Sequence, residues 1–333
     1  MLSIALILVA LVLSAAVAMT IGDHKIEVLK VYSILWDHIC GRTYVPGSDE
    51  FWDDFIIWEE RMPRVVGAIL AGMGLAVSGA AMQALMKNPL ADPYTTGISS
   101  GAMMGVTVGL VLGVAVSIFA EDLSLVFFAF LCGLIPSLVI VGMSKFRNTS
   151  PATLILAGLA MSFMFGAVTQ LLLLGAQAET VQETYKWMNG TLGNINIDQL
   201  PMMGIIVIVG SVFFLVVTKQ LNLIGTGDNS AKSLGLDADR FRSLCLIVIS
   251  FIVAMVVSVV GIMGFVGLVV PHICRYLVGN DNRFVLPASM IFGGFLIVFS
   301  DIVTRTIDGP NMPVGIILSF TGGPMFPFPT IRQ

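Results

Sequence analysis

One stretch constrains this chain more than any other: residues 61–97, RMPRVVGAILAGMGLAVSGAAMQALMKNPLADPYTTG. Residues 65–86 within it are apolar or small except for Gln83, and about 20 apolar residues suffice to cross a bilayer as a helix. Pro63 suits the first turn of that helix, whereas Pro89 and Pro93 cannot continue it. The stretch therefore predicts a transmembrane helix with both of its ends defined.

Small residues cover several faces of this predicted helix. One stripe, at steps of three and four residues, consists of Gly67, Ala71, Gly74, Ser78 and Ala81. Small residues let neighbouring helix backbones approach each other closely in a membrane. We therefore expect the helix to lie at the centre of a helix bundle, and a peripheral helix that is merely rich in glycine is the alternative.

The rest of the chain repeats the apolar pattern. Charged residues make up 11% of the sequence, against roughly 25% in soluble domains. Besides 2–21 and 65–86, apolar runs occupy residues 97–118, 123–143, 152–175, 201–218, 243–262, 264–279, 285–305 and 312–328. The sequence thus predicts an all-α membrane protein with ten transmembrane helices in a single domain, residues 1–333. Near residues 262–264 only glycines mark the division between two of these runs.

The first apolar run raises the question of a cleaved signal. It ends in Ala16-Val17-Ala18, which resembles a signal-peptidase site, but no basic residue precedes it. We expect a retained first helix. Residues 22–60, with Trp36, Trp52 and Trp58 among the charges, are predicted to form an extracytoplasmic loop with short interfacial helices.

Lysine and arginine indicate the orientation in the membrane. If the N-terminus is cytoplasmic, ten of these residues lie on the inside, and the outer loops after the first hold only Lys186 and Arg305. Cytoplasmic loops carry the excess of basic residues in membrane proteins. The sequence therefore predicts that both termini lie in the cytoplasm and that residues 219–242 form the longest cytoplasmic loop.

The segment 219–242 contains Gly225-Thr226-Gly227-Asp228-Asn229-Ser230-Ala231-Lys232-Ser233, which superficially resembles a phosphate-binding loop. That motif requires glycine at positions 226 and 231, and a preceding strand. We therefore expect this chain to bind no ATP. Asp228 is predicted to cap a short helix that Gly235 ends, with Leu234 and Leu236 available to a soluble partner. A merely solvated connector is the alternative.

Several motifs, in order along nearly the whole chain, now point to one family. They are Arg61-Met62-Pro63-Arg64, residues 78–85 (SGAAMQAL), 88–93 (NPLADP), 97–102 (GISSGA), 156–158 (LAG), 187–190 (WMNG), 232–235 (KSLG), 264–268 (GFVGL), 271–275 (PHICR) and 313–316 (PVGI). In these motifs the chain resembles the permease subunit of binding-protein-dependent ABC importers for iron chelates, haem and cobalamin, the type II importers.

The resemblance implies an assembly in the inner membrane of a prokaryote. Two copies of the permease would enclose one path, two ATPase subunits would bind ATP and Mg²⁺ below, and an extracytoplasmic binding protein would deliver the chelate. The chain itself would then be no enzyme and hold no cofactor or metal, and no nucleic acid would be a partner. The resemblance places the ATPase contact in residues 219–242, which we call the coupling segment. The contacting residues would be Asp228, Lys232, Ser233, Leu234, Gly235 and Leu236.

The resemblance also assigns the remaining sites. Arg61, Arg64 and Arg305 would receive carboxylates of the binding protein on the outer face, and anchoring of helix ends is the alternative. Asp301 is placed to pair with Arg305 on one helix. A cytoplasmic gate would involve Leu85, Met86, Pro151 and Ala152, although the family usually has hydroxyl-bearing residues at the last two positions. The path would be lined by Met161, Phe165, Thr169 and Gln170.

His272 and Arg275 lie in or near an apolar run, and we expect structural roles for both. An ion-coupled secondary transporter is the rival function, and it would need acidic relays in the membrane. Asp301 is the only acidic residue in the predicted apolar runs. An intramembrane enzyme is a second rival, and the chain shows no nucleophile–base pair or metal-ligand spacing for it. The transported chelate cannot be read from the sequence.

Overall fold

A computed structural model describes residues 2–22, 24–42, 44–113, 121–144, 151–307 and 312–325, with the side chains of all but 121–123, 144, 151, 152 and 325. It is built of helices: α1 Leu2–Thr20, α2 Val28–Ile39, α3 Asp49–Phe55, α4 Met62–Met86, α5 Ile98–Leu112, α6 Glu121–Ser144, α7 Pro151–Leu174, α8 Ala178–Met188, α9 Leu200–Val216, α10 Thr218–Gly225, α11 Asp228–Ser233, α12 Ala238–Val260, α13 Val266–Val278, α14 Asn282–Ile307 and α15 Val314–Met325.

The helices account for the ten predicted spans. Within the described residues, seven helical segments are long and apolar enough to cross a membrane, and α5, α13 and α15 are shorter apolar helices at the remaining predicted positions. The division near residues 262–264 is real, since α12 ends at Val260 and α13 begins at Val266, with Phe265 at a φ of +68° between them. The all-α, ten-span prediction is confirmed.

The helix α4 lies at the centre of the bundle, as its small residues predict. Of its 25 residues, 21 are buried, and it packs against α9, α12, α13 and α14. The alternative of a peripheral, glycine-rich helix is therefore excluded. Burial on all sides leaves this helix no lipid-facing surface over most of its length.

Two pairs of glycines bring α4 into backbone contact with its neighbours. A methyl group on Gly79 would lie 1.9 Å from the carbonyl oxygen of Gly267 in α13. One on Gly72 would lie 2.2 Å from the carbonyl oxygen of Gly293 in α14. No side chain fits at such distances, so glycine is required at both crossings.

The chain turns back into the bundle after α4. Lys87 ends α4 in the left-handed conformation at a φ of +51°. Pro93 and Asp92 then lie beside Gly267, which also neighbours the carbonyl of Leu75, halfway along α4. The short α5 therefore starts near mid-membrane depth, which explains why it has only 15 residues. The proline positions in the sequence end the helix but give no depth for this turn.

The phenol of Tyr94 joins this turn to the break between α12 and α13. It donates to the Met263 carbonyl at 3.2 Å and accepts from the Met263 amide at 3.3 Å. On the other side, Gly158 of α7 lies against the backbone of Thr95. Two irregular segments thus satisfy each other inside the bundle, which unwound backbone in a membrane requires.

The outer segment 22–60 is more ordered than a loop. Its first helix, α2, is one of the short helices that were expected there. The second, α3, continues through a π-helical turn at Ile56–Arg61 into α4, giving one helix from Asp49 to Met86. The predicted loop therefore ends about three turns earlier than expected.

The glycine crossings predict a graded response to added methyl groups. Gly79→Ala forces two backbones apart and should destabilise the fold by about 1–3 kcal/mol or more. Gly204→Ala in α9 is the matched control, since its methyl would lie 3.7 Å from a side-chain methyl of Leu70, an ordinary van der Waals contact. The measurement is the yield of monodisperse protein after extraction in detergent. Equal yields would contradict the backbone contact.

Candidate functional site

The coupling segment, residues 219–242, forms two short helices rather than a flexible connector. The predicted short helix is present, although α11 spans Asp228–Ser233 rather than 230–234, and Gly235 lies just beyond it at a φ of +84°. The predicted role of Asp228 is wrong in one respect, since its side chain makes no capping bond and Gly227 stands at the cap position. The carboxylate instead accepts from Lys87 at 2.7 Å and from Arg242 at 3.0 and 3.1 Å.

These ion pairs fix the coupling segment to the bundle. Lys87 stands at the end of α4 and Arg242 in the first turns of α12, so Asp228 ties α11 to both helices. Burial raises the pKa of Asp228, but the hydrogen bonds from Lys87 and Arg242 outweigh it and bring the pKa below its ordinary value. The carboxylate is therefore ionised at neutral pH, and the connection holds.

The free surface of the coupling segment is small and mixed in character. Lys232, Ser233 and Gly235 are exposed, and Leu234 is 66% exposed between them. Leu236 is half-buried and packs against the core instead. An exposed leucine at the end of a helix held by ion pairs suits a protein partner, and the ATPase contact itself stays a prediction.

The outer arginines are not the exposed cations that the sequence suggested. The exposed fraction is 4% for Arg61 and 7% for Arg64, and the Arg305 side chain is 4% exposed. Arg64 donates to Asp301 at 2.7 and 2.8 Å, and Arg305 lies 2.8 Å from the other oxygen of that carboxylate. The predicted pairing of Asp301 with Arg305 is confirmed, whereas the expected exposure is wrong.

Two of these arginines hold the end of α1. Arg61 donates to the carbonyls of Met19 and His24, and Arg305 donates to those of Ala18 and Ile21 at 3.0 and 2.7 Å. The last carbonyls of a helix have no partners within it, and basic side chains commonly satisfy them. The geometry therefore supports anchoring, which the sequence left as the alternative.

The arginines also line a cleft on the outer side. The cleft has a volume of about 500 Å³ and is shared with Glu59, Glu60 and residues 193–196. A binding protein that reaches these arginines would have to enter it and compete with bonds already made. Docking through this surface stays a prediction.

The gate residues at the end of α4 lie within the subunit. Leu85 is fully buried and Met86 is 5% exposed, so in this conformation neither offers surface to a path between two copies. The side chains of Pro151 and Ala152 lie outside the described part of the chain. The gate stays a prediction at all four positions.

The predicted path residues divide between two faces of α7. Phe165 and Thr169 are buried inside the subunit, and Thr169 donates to the Phe165 carbonyl at 2.9 Å. Met161 is half-buried and Gln170 is exposed. The open face of α7 carries large apolar side chains that the sequence reading did not single out: Leu156, Leu159, Phe163, Met164, Val168, Leu171 and Leu174.

The buried cluster around Asp301 predicts a large loss of stability when its charge is removed. Asp301→Asn leaves Arg64 and Arg305 without a counter-charge, which costs about 3–5 kcal/mol for a buried pair. Asp237→Asn is the control, because its partner Arg240 is 90% exposed and such pairs contribute about 0–1 kcal/mol. Thermal unfolding of the two variants in detergent makes the comparison. Similar midpoints would mean that the cluster is solvated.

Comparison with known proteins agrees with this arrangement. Residues 6–332 match the FecCD transport family. The hemin transport system permease protein HmuU of Yersinia pestis is 33% identical over 86% of this chain and 85% of its own length. The cobalamin import system permease protein BtuC of Halobacterium salinarum is 37% identical over 81% of this chain and 72% of its own.

A solved structure gives the same result for the fold. A metal-chelate type ABC transporter in an inward-facing conformation aligns with a TM-score of 0.85 and 26% sequence identity, over 99% of both chains. The match therefore includes the central α4 and the coupling segment as well as the outer ends of the helices. Together with the family match over residues 6–332, it shows that this chain belongs to the FecCD transport family, as a permease of the ABC transporter type.

Proposed function

We propose that this chain is the membrane subunit of an ATP-driven importer that carries a metal chelate across the cytoplasmic membrane of a prokaryote. In the working assembly, two copies enclose the path, two ATPase subunits dock below, and a binding protein docks above. The coupling segment is the observation that carries the proposal. Its exposed Leu234 directly follows α11, a helix that ion pairs connect to the bundle, so force applied there would reach the transmembrane helices.

The path is proposed to run along α7. Only 22% of the residues in the apolar stretch of α7 are buried, compared with 78% in the segment containing α4. The open face of α7 is therefore available to contact lipid or a second copy of the chain. That face combines bulky apolar side chains with the exposed amide of Gln170. A weakly polar surface of this kind suits a large, pre-formed chelate, because a hydrated metal ion would require oxygen or nitrogen ligands in place of its water.

The class of substrate follows from the relatives. The family includes proteins named for hemin, Fe(3+)-citrate and cobalamin, all of which are metal complexes of an organic ligand. A further relative is named for molybdate, so the substrates named among the relatives are not limited to complexes of an organic ligand. We propose a ferric siderophore, haem or cobalamin for this chain. The binding protein supplies most of the selection.

An ion-coupled secondary transporter is the competing function. Such a transporter needs a carboxylate free to exchange protons or cations inside the membrane. Asp301 is engaged by Arg64 and Arg305. Asp92, in the turn between α4 and α5, is the carboxylate that this mechanism would have to use, although it already accepts a bond from the Tyr94 amide at 2.8 Å.

Energy coupling separates the two functions. In proteoliposomes holding the complete assembly, uptake of the chelate should require internal ATP and continue after the ion gradients are collapsed. The purified chain alone should hydrolyse no ATP. Uptake that stops with the gradients and ignores ATP would overturn the proposal.

The docking surface gives a second prediction. Leu234→Asp puts a charge into the proposed ATPase contact and should weaken docking roughly tenfold, the cost of burying an unpaired polar group. Uptake should fall while the chain still inserts and folds. Leu90→Asp is the matched control, because Leu90 is 54% exposed on the turn after α4 and lies outside the coupling segment. Equal losses in both variants would place the contact elsewhere.

A further inference from the structure

A polar pocket lies at the end of α4 that the charge distribution places in the cytoplasm. It has a volume of about 350 Å³ and is bounded by the end of α4, by α10, by α13 and by the turn before α14. Two cations line it, Lys87 and Arg275, together with the side chains of Gln83, Asn222 and Asn282. None of its lining residues is acidic. Neither the transport path nor the coupling contact uses this pocket.

Arg275 carries an uncompensated charge. Its guanidinium makes a single hydrogen bond, to the Ala80 carbonyl at 3.3 Å, and the described part of the chain places no carboxylate within 4 Å of it. Arg275 is half-buried, and partial desolvation disfavours its charged form, so an anion in the pocket would stabilise it. The residues around it offer none of their own.

The neighbouring carboxylates are already engaged. Asp228 is shared between Lys87 and Arg242, so Lys87 also has only part of a counter-charge. Asp281, beside the pocket, binds Arg283 at 2.6 Å and accepts from Asn222. The positive charge in the pocket therefore exceeds the negative charge around it.

The pocket also lacks hydrogen-bond donors for two of its acceptors. The Oε1 atom of Gln83 and the Oδ1 atom of Asn282 are buried and have no partner, in residues that are 3% and 4% exposed. A buried acceptor without a donor costs about 1–3 kcal/mol. A ligand that fits this pocket must therefore bring negative oxygens for Arg275 and Lys87 and a donor for the two amide oxygens.

We propose that the pocket binds a phosphate group that carries its own hydroxyl or ammonium donor. Arg275 and Lys87 bind the phosphate oxygens, since charge-assisted bonds of this kind are the strong ones. Gln83 and Asn282 accept from the donor. Protonated inorganic phosphate and the headgroups of phosphatidylglycerol and phosphatidylethanolamine share this chemistry. The pocket lies at the polar ends of transmembrane helices, where headgroups are found.

The bound phosphate would sit next to the coupling segment. Asn222 and Gly225 of α10 line the pocket, and Lys87 connects it to Asp228 of α11. Occupation therefore stabilises the arrangement in which α10 and α11 are held against α4. The ligand would act on stability and coupling without touching the transported chelate.

The test uses the purified full-length chain in detergent, freed of lipid. Inorganic phosphate is titrated while the thermal unfolding midpoint is followed, with sodium chloride at equal ionic strength as the reference. Sulfate has the same shape and charge but no proton to donate at neutral pH. Phosphate should raise the midpoint saturably and should bind more tightly than sulfate. Equal effects of phosphate, sulfate and chloride would overturn the proposal.

Variants locate the effect. Arg275→Gln should weaken the apparent affinity for phosphate at least tenfold, the value of one charge-assisted hydrogen bond. Arg240→Gln is the matched control, because Arg240 stands at the same membrane face, is 90% exposed and is paired with Asp237 outside the pocket. If Arg275→Gln does not fold, Lys87→Asn replaces it, since asparagine tolerates the left-handed backbone at this position. Unchanged affinity in the pocket variant would overturn the site.

Lipid and free phosphate are then distinguished by native mass spectrometry of protein taken from lipid nanodiscs. Retention of one phosphatidylglycerol or phosphatidylethanolamine per chain, lost in Arg275→Gln and kept in Arg240→Gln, identifies a headgroup as the occupant. Phosphate-dependent stabilisation without a retained lipid identifies the free ion. Absence of both effects in the unmodified chain would refute the inference while leaving the proposed transport function intact.

Discussion

The contact of helix backbones at Gly79–Gly267 and Gly72–Gly293 is the constraint on which the rest of the structure depends. Lipid tails are as apolar as leucine, so helices in a bilayer associate through close packing and hydrogen bonds rather than through the hydrophobic effect. The glycines let α13 and α14 approach α4 until carbonyl oxygens fill the space of a missing side chain. The order of the bundle follows from these crossings, because α4 then has no surface left for lipid.

The close approach of the helices also makes possible two irregular segments inside the bundle, the break between α12 and α13 and the turn between α4 and α5. Backbone groups of residues 261–265 and of the turn after α4 lie inside the bundle, where water cannot satisfy them. The Tyr94 phenol bonds to both backbone groups of Met263, and the Thr191 amide donates to the Val260 carbonyl at 2.9 Å. A looser bundle would leave these groups unpaired. The depth of the α4–α5 turn is thus a consequence of the glycine contacts.

The sequence predicts the helices and the helix ends at which the charged residues stand, but not the direction in which polar side chains point. Apolar runs and small-residue stripes are local signals, so the ten spans and the central position of α4 could be read directly. Arg64 pairs with Asp301 across 237 positions, and no local pattern reports such a partner. The arginines were therefore placed at the correct helix ends but given the wrong environment. The capping role predicted for Asp228 is wrong for the same reason, because its partners Lys87 and Arg242 come from other helices.

The two ends of α4 carry the same electrical arrangement, in which one carboxylate serves two cations. At the outer end Asp301 binds Arg64 and Arg305, and the nearby arginines hold the end of α1. At the other end Asp228 binds Lys87 and Arg242 and holds α11. Release of one helix from the buried outer cluster would leave an unbalanced charge on the other. At the inner end Asp228 and Lys87 are each one-third exposed, so that connection is the weaker of the two. Displacement of α11 would therefore act on the end of α4 through Lys87 and on the start of α12 through Arg242.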